Sequence, residues 1–253
     1  MILLAIAAGS LVALESRHKT LRIVEIEAGP AAADLVSETI WAGIPKIAER
    51  FWPLLWISRR TYEDAIESAH PVNANLRFKG WGKFKVETEY LQPLFRVYWE
   101  NKNWYVSSDG RMWPDKLPEN YWMDLEQIRA RPALAWGKDM AAPFDAAAVG
   151  EVRNSSLPVD RISGWYDTLE FLGWNEKVRV MFAGRRDGMP VVRLVFKGPN
   201  DAGVSILFPD SPELWRGLGM AVKKIYPDIA KVSPDIFIDA TYKDKIIVGN
   251  KVQ

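Results

Sequence analysis

Phe84-Lys85-Val86-Glu87-Thr88-Glu89-Tyr90 alternates apolar or neutral side chains with charged ones at every step. A period of two belongs to a strand with one buried and one wet face. Upstream the period is helical. Residues 31–41 place Leu35, Thr39 and Ile40 on one face, and Gly43 closes that helix. Residues 44–56 form a second candidate, limited by Pro45 and Pro53. Residues 62–69 form a third, with Thr61 as cap, Asp64 three residues on and Pro71 as the stop. An opening strand over 21–27 ends at Gly29-Pro30.

Around and after the alternating run the pattern stays sheet-like. Strands are expected at 73–78 and 94–99. Ser108-Asp109-Gly110 between two aromatic runs marks a hairpin, because Asp-Gly supplies the positive φ such turns need. A modest helix is expected at 121–131, then an irregular crossing over 131–158. A helix over 159–174 spaces Ile162, Tyr166, Leu169 and Leu172 on one side. Strands follow at 178–183 and 191–197 around a turn at 184–190, with another at 203–208. A late helix, 213–226, carries Leu214, Leu218, Val222 and Ile225. Strands at 236–242 and 246–248 close the chain around Lys243-Asp244-Lys245. The fold class is α+β.

The composition narrows the functions. The chain has 253 residues, 48% apolar and 26% charged, which is enough apolar surface to fold. Its 33 basic residues nearly balance 32 acidic ones, so no electrostatic footprint for nucleic acid exists. Absence of cysteine removes disulfides, thiolate metal sites and cysteine nucleophiles. His18 and His70 are too few for a zinc cluster of the usual spacing. There is no phosphate-binding GxxxxGK[ST] loop and no dinucleotide fingerprint. Gly217-Leu218-Gly219 reads as a helix packing contact. Residues 184–188 (Gly-Arg-Arg-Asp-Gly) read as a surface turn rather than an anion cradle. Glu87 and Glu89 share a strand face; a carboxylate pair is the apparatus of glycoside hydrolysis, and a solvated strand face is the plainer reading. The expectation is a protein that is not an enzyme, with no cofactor, no metal and no small-molecule substrate. The 12 Trp serve core filling first and a contact surface second.

Residues 1–14, MILLAIAAGSLVAL, are apolar except for Ser10. A membrane helix needs about 20 such residues, and a secretory signal would carry a basic region ahead of them. Arg17 and Lys19 follow the run. The expectation is a membrane segment at 1–19 that is truncated upstream.

This layout resembles the FtsQ/DivIB family of bacterial cell-division proteins. Residues 21–27 (Leu-Arg-Ile-Val-Glu-Ile-Glu) with Gly29 are similar to the family's first POTRA strand. Pro93-Leu94-Phe95-Arg96-Val97-Tyr98-Trp99-Glu100 resembles its proline, alternating strand and terminal Glu, although Asn101-Lys102 stand where Arg and Pro are frequent. The run from Trp104 to Trp113, with Asp109-Gly110, looks like the opening of the family's β domain, and residues 214–226 resemble the helix before its last strands. Ile238-Asp239-Ala240-Thr241-Tyr242 is similar to the closing Val/Ile-Asp-Leu-Arg-Tyr, with Ala240 for Leu and Thr241 for Arg.

The resemblance implies an N-terminal membrane helix, a small POTRA-type βααββ domain at 20–100 and a β domain with a late helix at 101–253. It implies a single-pass protein of the inner (cytoplasmic) membrane, its bulk periplasmic, acting as a scaffold of the septum-forming divisome. The partners implied are FtsB/DivIC and FtsL, bound at the last β edge through Tyr242, Lys245, Ile246, Ile247 and Val248. The runner-up is a POTRA-type periplasmic chaperone or secretion docking protein.

Overall fold

The computed structural model describes residues 21–28, 33–44, 46–115, 125–145, 150–196, 204–229, 236–242 and 244–250. The protein is mixed α+β and divides into two units, one ending at Leu91 and recovering residues 150–152, the other starting at Gln92. The 1–14 run and Gly29-Pro30 lie outside the described residues. Among the described residues no helix is long and apolar enough to cross a membrane.

The first unit orders as β1 (Glu25–Ala28), α1 (Ala33–Gly43), α2 (Lys46–Arg50), α3 (Trp52–Ile57), α4 (Arg59–Ala69), β2 (Val72–Gly80) and β3 (Lys83–Tyr90). Its sheet runs β1-β3-β2, with β1 parallel and β2 antiparallel to β3. Phe84 and Val86 are buried, as the alternation requires, alongside Leu55, Ile66, Val72 and Leu76. Three expectations shift. The opening strand starts only at Glu25, because Ile23 N–H donates to Glu49 O at 2.9 Å and Leu21 O accepts from Trp52 N at 2.8 Å. The second helical stretch breaks at Phe51, and Pro53 falls in the first turn of α3, where no amide donor is needed. Helix α4 begins at Arg59, so Thr61 lies inside it rather than capping it. It ends at His70, which is extended (φ −132, ψ 142), the conformation that the following Pro71 favours.

Helix α4 also closes one side of this sheet. Glu63 Oε1 accepts the N–H of Leu76 at 3.0 Å, and Glu67 Oε1 accepts that of Ala74 at 2.9 Å. Two outward donors of the edge strand β2 are thereby satisfied within the chain.

The second unit holds β4 (Pro93–Trp99), β5 (Lys102–Ser107), β6 (Arg111–Pro114), α5 (Glu126–Ala130), β7 (Ala133–Trp136), β8 (Arg153–Asn154), α6 (Val159–Leu172), β9 (Val178–Arg186), β10 (Met189–Phe196), β11 (Val204–Pro209), α7 (Pro212–Ile229), β12 (Ile236–Asp239) and β13 (Ile247–Asn250). They form one ten-stranded sheet in the order β13-β12-β11-β10-β9-β7-β4-β5-β6-β8. Strand β4 belongs here, paired with β5 and β7, and not with the unit before it. Strand β7 falls inside the stretch expected to be irregular, and it runs parallel between β4 and β9.

The two hairpins follow their turn chemistry. Gly110 N–H donates to Ser107 O at 3.0 Å, and Gly110 has φ +84, so the link is a three-residue loop ending in a left-handed glycine. Between β9 and β10 only Asp187 (φ 50) and Gly188 (φ 79) turn the chain, and the strands run farther than expected, pairing Pro190 with Arg185.

Helices α6 and α7 pack together, and their buried faces share one core with the sheet. Trp165 stacks on Trp215 at 5.7 Å and 9°, and Trp215 on Phe208 at 4.9 Å. A Cβ on Gly219 would meet Leu172 Cδ1 at 2.3 Å, so Gly219 is a packing contact as expected, whereas a Cβ on Gly217 would meet nothing within 4 Å. The face of α7 differs from expectation: Trp215 and Val222 are buried, whereas Leu214 is 52% exposed. Trp165 is 1% exposed with no partner for its indole N–H. Trp165→Ala is expected to cost about 3–5 kcal/mol, and Trp165→Phe distinctly less, read from urea unfolding midpoints.

Candidate functional site

Strand β12 enters the sheet parallel to β11, and the ladder continues through Ala240 N–H to Leu207 O at 2.8 Å. Strand β13 returns antiparallel, with Ile238 opposite Val248 and Asp239 opposite Ile247. Among the described residues β13 is the last strand on that side, so its far row of N–H and C=O groups faces away from the sheet.

The end of β12 is pinned by a carboxylate. Asp239 is 2% exposed. Its Oδ1 accepts the Thr241 N–H at 3.0 Å and the Thr241 hydroxyl at 2.6 Å. Its Oδ2 accepts from the Arg186 guanidinium, which reaches over from the end of β9. Burial pushes the Asp239 carboxyl up, but the Thr241 and Arg186 bonds outweigh it and hold the group below the usual carboxylate range. Thr241, which departs from the expected Arg, thus fills one side of the acid, and Arg186 supplies the cation from another strand.

The five expected partner contacts sit in three places. Tyr242 lies beyond β12 in the connection, 40% exposed, with the Lys245 ammonium 4.9 Å from its ring centroid. Ile246 is half-buried against the core. Ile247 and Val248 are on β13, 42% and 43% exposed. Opposed residues share a face, so Val248 extends the row of the fully buried Ile238 to the rim. Gly249 has open space where a Cβ would stand. An edge of this kind offers backbone groups for strand pairing, and Tyr242, Ile247 and Val248 are the exposed apolar side chains nearest to it.

Sequence reasoning missed the ion pair between Arg186 and Asp239, because the two are far apart in the chain. The only signal was Arg186 in the 184–188 turn. Beside it on β9, the backbone N–H of Arg185 donates to Asp139 Oδ2 at 2.5 Å. The stretch works as a turn braced by the protein's own carboxylates.

Glu87 and Glu89 do lie two residues apart on β3. Glu87 pairs with Arg77 at 2.8 Å and Lys85 at 3.3 Å. His70 Nε2 is 2.9 Å from Thr39 Oγ1, and burial lowers its pKa against the opposing pull of Glu151. Among the described residues no group of three His, Asp or Glu is placed to hold a metal ion. Comparison with known proteins gives no matching family model and no matching curated relative.

The depressed pKa of Asp239 carries a pH signature. A group titrating lower in the folded than in the unfolded chain stabilises above the unfolded pKa of about 4 and loses that contribution as pH falls through the folded value. The wild type should therefore lose more stability between neutral pH and acid pH than Asp239→Asn, measured as the fall in urea midpoint.

Proposed function

We propose that this chain is a membrane-tethered scaffold of the FtsQ/DivIB type. It links early and late division proteins by binding an FtsB/DivIC–FtsL-like pair along the β13 edge. The observation that carries this reading is the pairing of an open edge strand with exposed Ile247 and Val248 and a flanking Tyr242. Main-chain pairing would supply affinity that does not depend on sequence, and the three side chains would supply selectivity. The βα…ββ order of the first unit, with its β1-β3-β2 sheet, is in keeping with a POTRA-type domain. The apolar run at 1–14 would be the tether, placing the protein in the inner membrane with its bulk outside the cytoplasm.

The runner-up, a chaperone or secretion docking protein, would use an edge of the three-stranded sheet. The β2 edge suits this less well, since Glu63 and Glu67 already take two of its donors.

Tyr242→Ala and Ile247→Lys test the reading. Each should weaken binding of an FtsB/DivIC-type partner about tenfold or more, equivalent to about 1.4 kcal/mol. Titration calorimetry with the full chain reads this directly. Wild-type affinity in both variants would remove β13 as the docking edge.

A further inference from the structure

The first unit carries an exposed apolar patch at the rim of its core, where Phe78 packs edge-on to the buried Phe84 at 5.7 Å and leaves its outer side free. Trp81 is 71% exposed, Val24 66% and Phe78 41%. They are contiguous. Val24 N–H donates to Gly82 O at 2.7 Å. Trp81 stands edge-on to Trp52 at 5.8 Å, Trp52 stacks on Phe78 at 4.9 Å, and Phe78 lies 6.2 Å from Trp56. Cations rim the patch: Arg59 sits 4.7 Å over the Trp56 ring, and exposed Arg22 and Lys79 flank Val24 and Trp81 in sequence.

The position of this patch is fixed against the start of the described chain. Leu21 O accepts from Trp52 N–H, and Gly82 is pressed so closely to Arg22 that a Cβ there would stand 2.2 Å from Arg22 O. Only residues 15–20 separate the patch from the apolar run 1–14, and they include Arg17 and Lys19. An extended chain covers at most about 3.3–3.6 Å per residue, so Leu21, bonded to Trp52 beside the patch, lies within about 25 Å of the end of that run, and Val24 within about 36 Å.

We infer that Val24, Phe78 and Trp81 form an interfacial footprint that seats the first unit on the surface of an anionic lipid bilayer. Tryptophan, with an apolar body and a polar N–H, partitions to the headgroup level, and the surrounding Arg and Lys complement anionic headgroups. A tether of this length keeps the patch at high effective concentration near that surface. The inference rests on reading the 1–14 run as a membrane tether; it adds that the folded unit itself touches lipid.

The chain has no cysteine, so single labels are clean. The full chain is reconstituted in vesicles of phosphatidylglycerol and phosphatidylethanolamine with an environment-sensitive fluorophore on Val24→Cys. A control label goes on Glu89→Cys, at the opposite end of the same sheet, where Glu89 pairs with Asn73. Headgroup-region spin-labelled lipids should quench the residue 24 label several-fold more than the residue 89 label. Trp81→Ser, which changes a mostly exposed side chain, should abolish that difference, and replacing phosphatidylglycerol by phosphatidylcholine should reduce it. Equal quenching at the two positions overturns the footprint while leaving the tether reading intact if the chain still floats with vesicles after alkaline wash. Loss of flotation overturns both. Quenching that survives Trp81→Ser overturns the footprint and assigns proximity to the tether alone. A residue 24 label that lipid never quenches, with Trp81→Ser altering self-association of the full chain in detergent, overturns it in favour of a protein contact.

Discussion

Parallel strands cannot be joined by a tight turn, and β11 and β12 are parallel. The chain between them must leave the sheet and cross it, and α7 is that crossover. Much of the second unit follows from this. The crossover must bury one face, so Trp215 and Val222 enter the core, and Gly219 lets α7 approach Leu172 of α6. Trp165 and Trp215 then stack across the two helices. The crossover also delivers β12 to the outer side of β11, leaving only β13 beyond it. The position of β13 at the end of the sheet is thus a consequence of where one parallel connection puts its last strand.

That end of the sheet needs a second device. A short strand near a rim frays unless its end is held. Asp239 does this with a buried charge, which is costly unless compensated. Compensation comes locally from Thr241 and at long range from Arg186. Because Arg186 sits at the end of the β9–β10 hairpin, the position of that hairpin is coupled to the point where the chain leaves β12 for Tyr242.

Local chemistry made much of this legible in the sequence. Asp109-Gly110 and Asp187-Gly188 are turns because glycine tolerates positive φ, and the period-two run 84–90 is a half-buried strand because sterics allow little else. What escaped was set by tertiary context. Ala133–Trp136 escaped because only four residues alternate there, buried Leu134 and Trp136 with half-buried Ala133 and Ala135, and they sit among other alanines and prolines that blur the pattern. Leu214 fits the helical period and yet faces out, because Trp215 takes the core position beside it. The start of α4 depends on Ser58 and Arg59 rather than on the capping signal at Thr61. At the site, the apolar Ile247 and Val248 were readable as a strand, but the Asp239–Arg186 pair was not, since a salt bridge across more than fifty residues leaves no spacing pattern.

The edges of the two sheets are treated unequally, and this asymmetry weighs on function. Natural sheets guard free edges with short strands, charges or covering groups. Strand β8 is only two residues long, and its Arg153 lies over Trp104 and Phe144. Strand β2 has its donors capped by α4 carboxylates. Strand β13 is short too, at four residues, but among the described residues its Ile247 and Val248 are exposed and a Cβ on its Gly249 would meet nothing within 4 Å. An exposed apolar edge strand is a template for pairing with another chain. Among the described residues the two ends of the large sheet therefore differ in chemistry: β8 ends in an arginine laid over aromatic rings, and β13 in exposed aliphatic side chains.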